Sequence, residues 1–149
     1  MNGDKLVIAL GAARYALDTS VVAGIVAVDR VPFLPGQSGF VKGIISLRNE
    51  PVTVIDLKKV LAPEVPDEGA GPGKVIVVRD KKRLIGLGIG SATVSFMWDE
   101  ELKDSSPVGE AGRFTSGTIG PENDPVLIID WTALFAETAR ILSTEKKGG

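Results

Sequence analysis

The segment FVKGIISLRNEPVTVIDLKKVL (residues 40–61) reappears without gaps as FTSGTIGPENDPVLIIDWTALF (114–135), at a constant offset of 74 residues. Eight of the 22 positions are identical: Phe40/Phe114, Gly43/Gly117, Ile45/Ile119, Asn49/Asn123, Pro51/Pro125, Val52/Val126, Ile55/Ile129 and Asp56/Asp130. Self-similarity at this length means one supersecondary unit used twice. Upstream the echo continues at a shorter offset, with KLVIAL (5–10) facing KVIVVR (74–79) and YALDTSVV (15–22) facing IGLGIGSA (85–92). Each copy reads strand, turn, strand, linking segment, strand, tight turn, strand, short helix. Between them, APEVPDEGAGPG (62–73) holds three Pro, three Gly and three acids, the composition of a linker.

The strands are Val/Ile/Leu runs of about five to eight residues bounded by Gly, Pro, Asn and Asp, a pattern of short antiparallel strands in curled sheets. Asn49-Glu50-Pro51 and Asn123-Asp124-Pro125 read as hairpin turns, because Asn tolerates a positive φ and Pro cannot continue a central ladder. Asp56 and Asp130 stand just before Leu57–Leu61 and Trp131–Leu142, where a carboxylate caps the free N–H groups of a helix's first turn. In the last segment Trp131, Leu134, Phe135, Thr138, Ile141 and Leu142 recur at helical spacing and predict an amphipathic helix with a frayed tail over 143–149. The expected architecture is mainly β. A single domain over residues 1–149 contains two small barrels of about five strands, one over about 5–61 and one over about 74–142, joined by the linker at 62–73.

Composition removes several classes of function. The chain has no Cys and no His, which takes away thiol and Ser-His nucleophile systems, the commonest general base and the usual zinc ligands. No catalytic residue, metal site or cofactor is expected. A net charge of −2 offers no overall electrostatic footprint for nucleic acid. The longest apolar run, Val21–Val28, falls far short of the roughly 18 residues a membrane span needs. The N-terminus runs directly into a strand without a signal-peptide pattern, so the expected location is cytoplasmic.

Three smaller signals resolve into structural readings. GLGIGS (86–91) matches neither G-x-G-x-x-G nor a Walker pattern, and its glycines fit a sharply curved strand. In WDEELKDSS (98–106), Glu100 and Glu101 are adjacent and do not face one site. The acids of the linker are solubilising.

In order and spacing these pieces resemble the CheW family, adaptors that couple chemoreceptors to a histidine kinase in bacterial chemosensory arrays. The family's apolar strand, Lys-Gly, second apolar strand, Leu-Arg-Gly and Pro-Val-Ile-Asp-Leu strand appear here as FVKGIISLRNEPVTVIDL (40–57). RYALDTSVVAGIVAV (14–28) resembles its Tyr-Gly-Ile/Leu-Pro strand and following Val-x-x-Ile helix. RLIGLGIGSATV (83–94) resembles its Val-Gly-Leu-Val-Val-Asp strand, and FTSGTIGPENDPVLIIDWTALF its closing hairpin and helix. The resemblance covers about residues 5–142. It implies two SH3-like five-stranded barrels, no catalysis, and recruitment to receptor arrays. The implied partners are the cytoplasmic tip of a methyl-accepting chemoreceptor and the regulatory domain of a CheA-type histidine kinase, with no nucleic acid and no insertion into the membrane. By the same resemblance Val22, Gly43, Arg48, Asn49 and Val75 fall on partner-binding positions.

Read from the residues alone, Arg48 is equally a solvated turn charge, Gly43 a bulge that Gly117 repeats, and Val22 and Val75 core residues. The chain also departs from the family pattern. Asn49 replaces the Gly of Leu-Arg-Gly, Gly24 replaces an acid in Val-x-Glu-Ile, and Gly90 replaces the Asp that closes its strand. These departures raise the alternative of a divergent adaptor that binds receptor without coupling to kinase. Two further alternatives are an unrelated SH3-like interaction module and a small enzyme using only carboxylates and Lys.

Overall fold

A computed structural model describes residues 5–11, 13–28, 41–61, 73–80, 82–97, 115–119 and 126–148. Their elements, in chain order, are β1 (Lys5–Leu10), β2 (Ala13–Asp18), a 3₁₀ turn (Thr19–Val21), β3 (Val22–Val28), β4 (Val41–Leu47) and β5 (Glu50–Asp56). After α1 (Leu57–Leu61) come β6 (Gly73–Asp80), β7 (Arg83–Gly90), β8 (Thr93–Met97), β9 (Thr115–Ile119), β10 (Val126–Ile129) and α2 (Trp131–Gly148).

The fold is mainly β, with two five-stranded sheets. Sheet A runs β8-β1-β2-β10-β9 and sheet B runs β3-β6-β7-β5-β4. Advancing each strand of sheet A by five places, cyclically, reproduces sheet B. The internal repeat is therefore a repeat of strand order, and the registers agree with the sequence offsets. Leu127 pairs with Tyr15 in sheet A, and Thr53 with Ile85 in sheet B, positions related by 74 and 70 residues. For β1 and β6 the equivalent pairs, Leu6↔Leu17 and Ile76↔Leu87, set the offset at 70, one residue more than the alignment of KLVIAL with KVIVVR.

Three expectations need correction. The sheets do not follow the sequential division at 62–73. Strands β3 to β7 build sheet B, while sheet A joins β1 and β2 to β8, β9 and β10. The two compact units accordingly comprise Met1–Val21 with Ala92–Leu134, and Val22–Ser91 with Phe135–Gly149. Second, two pairings are parallel, β5 with β7 and β10 with β2, because these strands meet across a connection rather than a hairpin. Third, the helix implied after Tyr15 is a three-residue 3₁₀ turn followed by β3. Val22, Ile25, Val26 and Val28 are stiff β-branched residues around Gly24, a composition that favours strand over helix. At the other end, α2 extends to Gly148, past the expected fraying point at Ser143.

Both helix starts follow the expected capping. Asp56, only 4% exposed, accepts the backbone N–H of Lys58 at 3.1 Å and of Lys59 at 3.4 Å. Asp130 accepts the N–H of Ala133 at 3.1 Å. On α2, Leu134, Phe135 and Thr138 are buried, as their spacing predicts. Glu137 pairs with Arg140 on the helix surface and holds the guanidinium above its ordinary pKa through hydrogen bonding and charge.

The core of sheet B gathers Ile45, Val52, Val54, Val75, Val77 and Leu84, with Val26, Val28 and Leu47 against its margin. Val7, Ala16 and Val126 cluster in sheet A, flanked by Met97. Gly86 explains part of the glycine run in β7. A Cβ there would lie 2.7 Å from Val75 Cγ1 and 3.0 Å from Val54 Cγ2, so the absent side chain makes room for two core valines.

Candidate functional site

β4 and β5 form a hairpin whose last ladder pair is Leu47↔Glu50, leaving Arg48 and Asn49 as a two-residue turn. Their φ values are 51° and 66°, the sign pattern of a type I′ turn. Asn enters this left-handed region readily, whereas Arg gains nothing there to offset the crowding of its Cβ. Both side chains are exposed. Pro51 pairs with Ser46 beside the turn, and β5 meets β7 only from Thr53 onward, so the missing N–H of Pro51 falls outside that parallel ladder.

Burial alternates along β4, with Val41, Gly43 and Ile45 inward and Ile44 and Ser46 outward. Ile44 is 37% exposed, one of three large apolar side chains so exposed among the described residues. Next to the turn, Ile44, Ile45, Ser46, Asn49 and Pro51 line a shallow open concavity of about 500 Å³. It is apolar at its wall and carries an amide at its rim. The other two exposed apolar residues, Ile25 (42%) and Phe96 (63%), occupy equivalent places on edge strands β3 and β8, opposite Ile76 and Leu6.

The five residues implied as partner contacts separate in the structure. Arg48 and Asn49 lie together on the exposed tip. Gly43 is buried at a β-bulge, where the register passes from Val41↔Ile55 to Gly43↔Val54 and skips Lys42. The same irregularity recurs in sheet A, where Thr115↔Ile129 and Gly117↔Ile128 skip Ser116. Gly43 therefore has the bulge role that its repeat at Gly117 suggested. Val22 is half-buried at the start of β3, on the edge of sheet B opposite β4. Val75 is 1% exposed within the core cluster, so it supports the sheet from inside and has no surface to offer a partner.

Sequence reasoning missed Ile44, Ser46 and Pro51. Strict alternation outward from Ile45 was the available signal, and it needed the bulge to fix its phase. It also left Arg79, Lys82 and Arg83 unremarked, three exposed cations at the β6–β7 turn.

Among the described residues no group of three or more His, Cys, Asp or Glu side chains gathers as a metal site would require. No helix among the described residues is long and apolar enough to cross a membrane. A family model described as the CheW-like domain matches residues 4–139. Among solved structures, the chain is similar to the scaffolding protein TtCheW from Thermoanaerobacter tengcongensis, with a TM-score of 0.67 and 24% identity. The alignment covers 87% of this chain and 89% of that one. The curated proteins contain no match. The match spans both sheets and the start of α2, and the chain belongs to the CheW-like domain family, a family of chemotaxis scaffolds and adaptors.

Proposed function

We propose that this protein is an adaptor that binds the cytoplasmic tip of methyl-accepting chemoreceptors through the β4–β5 hairpin tip and links them to a CheA-type histidine kinase. The observation that carries this reading is the backbone of Arg48. A turn with two positive φ values favours Asn-Gly or Gly-Gly, and a solubilising charge could sit on a neighbouring residue without strain. A bulky cation held in a sparsely populated conformation, exposed beside an apolar concavity, is the arrangement expected of a positioned contact. The apolar wall of Ile44 and Pro51 supplies affinity, and the rim charge supplies orientation and register.

The test is binding of a purified receptor cytoplasmic fragment to the wild-type chain and to Arg48→Glu. The substitution should leave the fold intact and weaken binding by roughly 1–3 kcal/mol, as loss of a well-placed interface arginine does. Unchanged affinity would return Arg48 to the role of a solvated turn residue.

Gly24 favours a second reading for the kinase face. A Cβ at this position would meet nothing within 4 Å, so the fold does not demand glycine here. With the family's acidic residue absent, an adaptor that holds receptors but couples weakly to kinase fits this chain. Measuring kinase binding separately from receptor binding, with and without Gly24→Glu, distinguishes the two: gained kinase affinity in the variant supports the weakly coupled adaptor.

A further inference from the structure

β5 and β7 are neighbours in sheet B and run parallel, so their starts lie at the same end of the sheet. Extending the Thr53↔Ile85 register back by two residues sets Pro51 level with Arg83. The β4–β5 turn that carries Arg48 is therefore flanked by the β6–β7 turn, with centres on the order of 10 Å apart, two strand spacings. Arg48, Arg79, Lys82 and Arg83 are all exposed there. Glu50 is exposed at the same end, so among the side chains described there four cations face one carboxylate.

The fold does not need this charge. In sheet A the hairpin equivalent to β6–β7 is β1–β2, whose last ladder pair is Leu10↔Ala13, with Gly11 and Ala12 between them in the sequence. At the 70-residue offset these stand where Lys81, Lys82, Asp80 and Arg83 stand, and Ala9 stands for Arg79. The position equivalent to Arg48 is Glu122. The same hairpin thus forms without cations, and clustering them adds mutual repulsion to the folded state. The side chains of Arg79, Lys82 and Arg83 make no ion pair or hydrogen bond with any described residue.

We propose that the two hairpin tips form one cationic docking surface for an acidic segment of a partner protein, whose carboxylates pair with Arg79, Lys82 and Arg83 while an apolar side chain enters the concavity beside Arg48. This rests on the reading of the β4–β5 tip as a docking site and adds the chemistry of its occupant. Charge balance favours a protein segment over a polyanion. A membrane or nucleic acid presents an extended negative surface to a chain of net charge −2, whereas a short acidic segment meets only the local excess.

The probe is a fluorescein-labelled Glu-Glu-Leu-Glu-Glu peptide, titrated with the full chain and followed by anisotropy at low and moderate salt. Wild-type binding should weaken as salt rises. It should fall about tenfold or more in Arg79→Glu/Lys82→Glu/Arg83→Glu, the sum of three partly exposed pairs reversed. The mild Lys82→Ala, at an exposed turn position, should show a smaller loss of about two- to threefold and guards against misfolding of the triple variant. Equal binding in wild type and both variants overturns the proposal. So does equal, equally salt-sensitive binding of phosphatidylserine vesicles or duplex DNA, which would mark a generic polyanion patch. Concentration-dependent self-association in sedimentation velocity, abolished by the triple variant, would make the occupant a second copy and also overturn it. If a receptor fragment depends on Arg48 but not on the three cations, this inference fails and the receptor reading stands. If the peptide binds as expected while the receptor fragment does not bind at all, the receptor reading fails and the acidic surface stands.

Discussion

Arg48 and Asn49 are consecutive residues that both hold left-handed backbone conformations, and together they are the whole connection between β4 and β5. Asn at the first turn position and Gly at the second would relieve the crowding that Arg now bears. Arg48→Asn/Asn49→Gly is expected to raise stability by about 1 kcal/mol, as removing one left-handed non-glycine penalty does. Urea unfolding checks the gain, and a parallel receptor-binding assay should show weaker binding. A variant both more stable and equally competent would remove the functional argument for Arg48.

Gly86 and Gly24 should respond oppositely to the same change. Gly86→Ala places a methyl 2.7 Å from Val75 Cγ1, and is expected to destabilise by roughly 1–3 kcal/mol, the range for overpacked cores. Gly24→Ala meets open space and should be neutral or slightly stabilising, by up to about 1 kcal/mol through the unfolded chain's lost entropy. Thermal melts of the two variants side by side decide the matter, and equal effects would contradict the packing described around β7.

Asp56 is nearly buried and satisfies two backbone donors at the start of α1. Asp56→Ala should cost roughly 1–2 kcal/mol, the upper part of the range for lost caps. Asp130→Ala, whose carboxylate accepts one N–H, should cost about 1 kcal/mol or less. Denaturant midpoints that reversed this order would show that the cap at Asp56 is not the stronger one.

Val75 tests its reassignment from partner contact to core. Val75→Ala should lose roughly 1.5–3 kcal/mol of stability, the worth of a fully buried aliphatic side chain. Receptor affinity, measured per folded molecule by calorimetry well below the melting temperature, should stay at the wild-type value. A loss of affinity without a loss of stability would restore Val75 to the interface.

Much of this structure was legible in the sequence wherever the information is local. The 74-residue echo located the β4–β5 and β9–β10 hairpins, and Asn49, Asp56 and Asp130 identified a turn and two caps, because each acts on its immediate neighbours. Strand exchange was not legible. Which of two similar halves a strand joins depends on pairings between residues such as Tyr15 and Leu127, far apart in the chain. β3 lies in a segment that the family resemblance implies to be helical, and β8 in a linking segment whose apolar run Ser95 interrupts. At the site, Arg48 and Asn49 stood out by type and position, whereas Val75 looked the same as a contact or a core residue until its burial was known. The second cationic tip was visible as RDKKR but acquired meaning only when the parallel β5–β7 pairing set it beside Arg48.

The nesting of β3 to β7 between the strands of sheet A bears on how the chain emerges from the ribosome. Sheet B is complete once residue 90 is clear, whereas β1 and β2 must wait for β8, β9 and β10. At synthesis rates of about 5–20 residues per second, the interval between Asp18 and Thr115 lasts roughly 5–20 s. During it the apolar Leu6, Ile8 and Leu17 lack their final partners, and an arrest-peptide series should register tension from sheet B before any from sheet A. Strands β1 and β2, made before all the others described, are thus among the last to be protected, which makes their nascent hairpin the segment on which chaperones would act.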